Sequence, residues 1–194
     1  MIQPSPSNAA VASSEAITVS STRYRAIGVA SAIVAMALSA QVAIPVGSSP
    51  VPMTLQPMVV LLIGGILGPR LGASALALYL VAGISGLPVF AAGGAGIGRL
   101  LGPTGGYLLA FPFAAAVTGT VVVGRGGVLR SWLAAFLGMV VIHLGGVAHL
   151  ALLGGNPELA MQWGSLPFLT ADFGKIGVAS LVISWARRRF PSGR

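Results

Sequence analysis

The sequence predicts an all-α integral membrane protein, a bundle of six transmembrane helices, from three observations. Of its 194 residues, 55% are hydrophobic and only 7% are charged, and the mean hydropathy is +0.92. Soluble domains carry about 25% charged residues. The apolar residues form six runs separated by connections that contain proline, glycine or arginine. The arginines cluster at alternate connections, which is typical of membrane proteins that follow the positive-inside rule.

The chain is expected to be one membrane domain behind a short tail. Residues 1–22 are rich in Ser, Ala and Pro without periodicity, which predicts a disordered N-terminal tail. Residues 23–194 are predicted to form a single six-helix transmembrane domain, whose first span covers 26–46. A signal peptide is the alternative interpretation of this start, but the apolar run is longer than a typical signal-peptide core.

Five further spans and three long connections follow. The remaining predicted spans are 58–67, 71–83, 105–123, 132–153 and 169–186. Loop 1 contains Pro50, Pro52 and Pro57, which break a helix. Loop 3 is glycine-rich, and loop 5 has the sequence "GGNPELAMQWGSLP". Because six spans alternate across the membrane, loops 1, 3 and 5 lie on one side, opposite both termini.

The distribution of cations predicts the orientation. The side that holds both termini carries Arg23, Arg25, Arg70, Arg125, Arg130, Arg187, Arg188, Arg189 and Arg194. This side is therefore predicted to be cytoplasmic, and the long loops extracytoplasmic. Two cations depart from the rule, Arg99 and Lys175, and the acids Glu158 and Asp172 lie on the outer side with them. These exceptions mark the candidate site.

The sequence lacks the motifs that several classes of protein need. The sequence has no HExxH, GxSxG or GxxxxGK[ST] motif and no cysteine, so we expect neither an enzyme nor ATP hydrolysis by this chain. The basic residues flank apolar runs, which indicates topology rather than nucleic-acid binding. His143 and His149 lie six residues apart on different helix faces, so hydrogen bonding or packing between helices is favoured over metal ligation. We therefore expect no metal and no cofactor.

Asp172 and Lys175 are the sharpest signal, because residues three apart share one face of a helix. A charge in a membrane segment costs about 3 kcal/mol on insertion scales. Retaining both charges favours a polar ligand cavity, and a structural ion pair is the alternative. Together with Arg99, the pair suits a small ligand with N–H donors at one end and an anionic group at the other.

A stripe of small residues runs along the first predicted span, at Ser31, Ala35 and Ser39. Small residues let a second helix approach closely, either within the bundle or from a partner subunit. The sequence leaves both interpretations open.

Four motifs carry a family resemblance. "PVPMTLQP" (50–57), "GILGPRLGA" (65–73), "GLPVFAAGGAGIGRLLGPTGGYLLAFP" (86–112) and "ADFGK" (171–175) resemble the BioY family, the biotin-capturing subunits of energy-coupling-factor (ECF) transporters. The resemblance covers most of residues 26–189, and the long central motif is its most specific part.

The resemblance implies a substrate-specific (S) component, multi-pass in a prokaryotic cytoplasmic membrane, that binds biotin beneath loops 1 and 3. It implies as partners a transmembrane coupling subunit of the EcfT or BioN type and ATPase subunits of the EcfA or BioM type, and it makes the small-residue stripe a docking face. The implied ligand-binding residues are Phe90, Gly93, Gly94, Arg99, Tyr107, Asp172 and Lys175. Either Lys175 or Arg99 would hold the carboxylate of biotin or its ureido oxygen, and which cation takes which end stays open. The alternatives are another vitamin, such as riboflavin or thiamine, and a membrane-embedded enzyme or assembly factor.

Overall fold

Proline and glycine mark most helix boundaries along this chain. The computed structural model describes residues 6–47, 49–122 and 127–189, with side chains from residue 22 onward. The helices are α1 (Pro6–Gln41), α2 (Gln56–Leu67), α3 (Pro69–Ile84), α4 (Gly98–Leu101), α5 (Gly105–Val121), α6 (Val128–Gly154), α7 (Pro157–Gly164) and α8 (Leu169–Arg189). Two-residue strands β1 (Ala43–Ile44) and β2 (Met53–Thr54) pair antiparallel within loop 1. Short 3-10 turns lie at Ala91–Gly93 and Leu166–Phe168.

The all-α prediction is confirmed, and each predicted span corresponds to a helix: α1, α2, α3, α5, α6 and α8. Segments 22–41, 128–154 and 157–189 are long and apolar enough to cross a membrane. The other three helices are apolar but shorter, and α2 has only 12 residues. At 1.5 Å per residue, such a helix is about 18 Å long, less than the hydrocarbon thickness of about 30 Å. It therefore depends on its neighbours to cover its ends.

α1 differs from the sequence-based expectation at both ends. The helix begins at Pro6, so the backbone of residues 6–22 is helical where disorder was expected. No proline or glycine interrupts the chain between Pro6 and Gly28, and most of this stretch tolerates a helix. α1 ends at Gln41 because the next residues pair as β1 with β2. Residues 1–5 lie outside the described residues, and the division into tail and domain stays a prediction.

α2 is the central helix and contacts α1, α3, α5, α6 and α8. Its glycines allow the closest of these approaches. A Cβ on Gly64 would overlap the backbone of Ala115 in α5, and one on Gly65 would overlap the Ile183 side chain of α8. Close backbone approach maximises van der Waals contact where lipid supplies no hydrophobic driving force between helices.

Arginines at the end of the bundle opposite loops 1, 3 and 5 hydrogen-bond to helix ends. The Arg187 Nε–H donates to the Gly65 carbonyl at 2.8 Å, and the Arg130 Nε–H donates to the Val121 carbonyl at 2.7 Å. Carbonyls in the last turn of a helix have no partner within the helix and carry partial negative charge, so these guanidinium groups stabilise the ends of α2 and α5. Two arginines of the predicted cytoplasmic set lie outside the described residues, Arg125 and Arg194.

The α2–α5 crossing gives a direct test of the packing. Gly64→Ala should lower the melting temperature in detergent, because the new methyl group meets backbone atoms of Ala115 that cannot rotate away. Overpacking of this kind costs about 1–3 kcal/mol. The matched control is Gly177→Ala in α8, where an added Cβ has no neighbour within 4 Å. This control should melt at or above the parent temperature, and equal melting of both variants would contradict the close approach.

Candidate ligand-binding cavity

A cavity lies at the end of the bundle where loops 1, 3 and 5 meet the helices. Most of its lining is apolar, including Phe90, Phe111, Ile142 and Phe168. Its polar lining residues are Thr54, Gln56, Arg99, Thr104, Tyr107, His143, Asp172 and Lys175. A mostly apolar cavity with a few convergent polar groups is typical of a small-molecule site.

Asp172 and Lys175 line this cavity from the first turns of α8, where both side chains are buried. The Lys175 ammonium donates to Asp172 Oδ1 at 2.7 Å. The imidazole of His143, from α6, lies with Nε2 at 2.9 Å from the other carboxylate oxygen, Oδ2. The two interpretations of the pair therefore coincide, since it is an internal ion pair and also part of the cavity wall. Each charge offsets part of the cost of burying the other.

The two histidines contact different partners, as their separation on the helix predicts. His143 bridges α6 to α8 through Asp172, and His149 Nε2 lies 3.1 Å from the Gly102 carbonyl in loop 3. The prediction of hydrogen bonding between elements is therefore confirmed for both. Sequence analysis did not place His143 at the candidate site, although its position at mid-helix in an apolar span was a signal for it.

Arg99 reaches the cavity from α4 in loop 3, at a half-buried position. Within the described part of the chain, no carboxylate lies at ion-pair distance from its guanidinium. A Cβ on Gly94 would overlap this guanidinium, so the glycine allows Arg99 to pack against the loop backbone. The cavity thus presents one cation bound to a carboxylate, Lys175, and one that is not, Arg99.

Gly93 and Gly94 were predicted to contact ligand, but neither lines the cavity. Gly93 has φ +69°, which favours glycine, and it helps to form the turn in which Phe90 N–H donates to the Gly94 carbonyl at 3.0 Å. The structure therefore gives these glycines a role in shaping loop 3. Their position places Phe90 and Arg99 at the cavity.

Phe90 and Tyr107, two of the ligand-binding residues that the resemblance implies, both line the cavity. Phe90 is fully buried and meets the Tyr79 ring edge-on, with ring centroids 5.6 Å apart. The Tyr107 hydroxyl donates to the Gly164 carbonyl at 2.5 Å, which ties α5 to the end of α7. Both aromatic residues therefore hold loops in place as well as lining the cavity.

A chain of hydrogen bonds that sequence analysis missed joins loop 1 to loop 3. Gln56 donates from Nε2 to the Tyr79 hydroxyl at 2.8 Å, and this hydroxyl donates to the Val89 carbonyl at 2.8 Å. Gln56 and Tyr79 are both buried, and Gln56 lines the cavity. The isolated glutamine at the end of the first proline-rich motif was the available signal. These hydrogen bonds attach Gln56 and loop 3, which border the cavity, to Tyr79 of α3.

The small-residue stripe on α1 is not uniformly accessible. Ser31 is exposed and Ala35 is half-buried, whereas Ser39 is buried and its hydroxyl donates to the Met36 carbonyl at 2.9 Å. The face open to another helix is therefore centred on Ser31 and Ala35.

Comparison with known proteins identifies the family. The model of the BioY family matches residues 12–192. The chain belongs to the BioY family. The family assignment agrees with the motifs in loops 1 and 3 and with the "ADFGK" segment at the start of α8.

Two relatives and one solved structure each match 75% or more of the chain. The probable biotin transporter BioY of Pyrococcus horikoshii is 41% identical over 145 residues, which are 75% of this chain and 85% of that protein. The biotin transporter BioY of Rhizobium etli is 34% identical over 171 residues, 84% of this chain and 91% of that protein. A crystal structure described as the S-component for biotin from an ECF-type ABC transporter superposes with a TM-score of 0.76 at 27% identity, and the match covers 88% of this chain and 92% of that one.

The hydrogen bonds of Tyr79 can be removed without removing its ring. Tyr79→Phe leaves the Gln56 amide and the Val89 carbonyl without this partner, and an unsatisfied buried polar group costs about 1–3 kcal/mol. We expect a lower melting temperature and faster protease cleavage in loops 1 and 3. Tyr24→Phe, at a position 75% exposed, is the matched control and should change neither measurement. Unchanged cleavage in Tyr79→Phe would show that the hydroxyl does not hold the loops.

Proposed function

We propose that this chain captures biotin at the outer face of a prokaryotic cytoplasmic membrane and serves its uptake as the S component of an ECF-type transporter. The observation that carries the proposal is the buried Asp172–Lys175 pair in the wall of an apolar cavity, in a chain whose relatives are named biotin transporters. As a multi-pass membrane protein of a transporter family, the chain acts by binding and transport and not by catalysis.

The chemistry of biotin suits the polar groups of the cavity. Its ureido ring offers two N–H donors and one carbonyl, and its valerate chain ends in a carboxylate. Asp172 has lone pairs beyond those used by Lys175 and His143, and these accept the ureido N–H groups in our proposal. Phe90, Tyr107 and Phe168 enclose the apolar thiophane ring.

Arg99 is the better candidate of the two cations for the valerate carboxylate. The Lys175 ammonium is already bound to Asp172 at 2.7 Å, whereas the Arg99 guanidinium pairs with no carboxylate among the described residues. A guanidinium can also bind a carboxylate with two parallel hydrogen bonds. We therefore assign the ureido end of biotin to α8 and the carboxylate end to loop 3.

Uptake against a gradient needs an energy source that this chain does not carry. Its sequence has no loop of the GxxxxGK[ST] type for a nucleotide phosphate. We propose a transmembrane coupling subunit and ATPase subunits as partners, with both termini of this chain cytoplasmic. The arginines at the ends of α2 and α5 support this orientation, because cytoplasmic ends of membrane helices are enriched in Arg and Lys.

The ion pair can be separated from the binding role by two single variants and their combination. Asp172→Asn and Lys175→Met should each weaken biotin binding about tenfold or more, since a hydrogen bond to a charged group contributes about 1.5–3 kcal/mol. Each should also lower the melting temperature, because one charge is left without its partner. The measurements are binding of labelled biotin to purified protein in detergent and thermal unfolding.

The double variant decides between a ligand site and a purely structural pair. If the pair is only structural, combining the two changes restores the melting temperature and leaves biotin affinity near that of the parent. Our proposal requires that affinity stays low even where stability recovers. Excess riboflavin or thiamine should not displace the label from the parent, and displacement by either would favour another vitamin as the ligand.

The partner contact is tested at Ala35. Ala35→Trp should reduce co-purification of the coupling subunit and leave biotin binding unchanged, because a large side chain prevents close approach of a second helix. Leu38→Trp is the control for bulk on the same helix, since Leu38 is already large and 67% exposed. Normal co-purification with Ala35→Trp would remove this face from the docking surface, and loss of biotin binding would assign the face to the internal packing.

A further inference from the structure

His143 is tied to the candidate site through one carboxylate oxygen. Its Nε2 lies 2.9 Å from Asp172 Oδ2, while the Lys175 ammonium occupies Oδ1 at 2.7 Å. The imidazole comes from α6 and the other two groups come from α8, so His143 is the member of this cluster that fixes the carboxylate to a second helix. The ring also lines the cavity.

The contact with Asp172 shows which nitrogen of the His143 ring carries a proton. A carboxylate bound to an ammonium is ionised and can only accept, so the short contact requires a proton on His143 Nε2. The other ring nitrogen, Nδ1, is buried and has no hydrogen-bond partner among the described residues. The Asp172 carboxylate therefore accepts from an ammonium on one oxygen and from an imidazole N–H on the other.

The same contact separates two spaces. Met139, His143 and Asp172 line both the cavity and a second, apolar groove between α6, α7 and α8. This groove is bordered by Leu144 and Phe173, which are exposed on the outside of the bundle. The His143 side chain thus borders the cavity on one side and the groove on the other. Without the imidazole, Asp172 would face an apolar groove instead of a hydrogen-bond donor.

We infer that His143 is a positioning residue for the ligand. By donating its Nε2–H to Oδ2, it holds the Asp172 carboxylate in the wall and directs the remaining lone pairs of that carboxylate toward N–H donors in the cavity. It acts through Asp172, not by direct contact with the ligand. The inference rests on the proposed biotin site, and it adds α6 to the elements that determine affinity.

The test exploits the different reach of three side chains. In His143→Gln, the amide Nε2–H can occupy the place of the ring donor, so biotin affinity should stay within about threefold of the parent. His143→Met is similar in length but cannot donate, and its affinity should fall about tenfold or more. In His143→Asn, the amide is one methylene too short to reach Oδ2, so its biotin affinity should also fall about tenfold or more. This second variant keeps the test valid if His143→Met does not fold.

A histidine in the same helix provides the matched control. His149 also makes one hydrogen bond, to the Gly102 carbonyl, but it does not line the cavity. His149→Met should lower the melting temperature without changing biotin affinity. Affinity and melting temperature are measured for all four variants, so that a general loss of stability is separated from a loss of positioning.

Two results would overturn the inference. Parent-like affinity in His143→Met or His143→Asn would show that the donor is not needed, and equal weakening in the folded Gln and Met variants would show that the hydrogen bond is not the cause. Failure of the parent itself to bind biotin is a different result, because it overturns the proposed function before any variant is considered. Rescue by Gln alone supports the positioning role.

Discussion

A bilayer offers no water to satisfy a polar group, so the buried donors and acceptors of this chain depend on partners inside the protein. Three sets of hydrogen bonds meet this constraint. Arg187 donates to the Gly65 carbonyl in the last turn of α2. The Tyr79 hydroxyl links Gln56 to loop 3. Asp172 accepts hydrogen bonds from Lys175 and His143. The same constraint explains why so few polar residues specify the site, because each one retained has a defined partner or faces the cavity.

The position of the cavity follows from the short central helix. α2 is too short to fill the length of the bundle, and loop 1 and loop 3 cover the space beyond its N-terminal end. Glycines in α2 keep α5 and α8 close to it, and these two helices bring Tyr107 and Asp172 to the same cavity. Helix packing therefore helps to shape the cavity, since α5 both crosses α2 closely and carries Tyr107.

The hydrogen bonds around Asp172 join parts of the cavity wall that are far apart in sequence. Its members come from α6 and α8, and Arg99 and Phe90 come from loop 3, so a ligand that contacts both ends joins elements far apart in sequence. Loop 3 is in turn held by Tyr79 of α3 through the Val89 carbonyl. A ligand in this cavity would thus stabilise the loops that cover it.

The sequence by itself determined the all-α membrane fold, the approximate helix positions and the Asp172–Lys175 pair, because hydropathy, charge placement and helical spacing are local properties. The distribution of cations added Arg99 to the candidate site, and the family motifs added Phe90 and Tyr107. Contacts between distant segments were decided only by tertiary structure. His143 meets Asp172 across 29 positions and Gln56 meets Tyr79 across 23, and no local pattern encodes such pairs. For the same reason Gly93 and Gly94 shape the loop without lining the cavity, and α1 ends early because two residues of loop 1 pair with a strand nine positions further on.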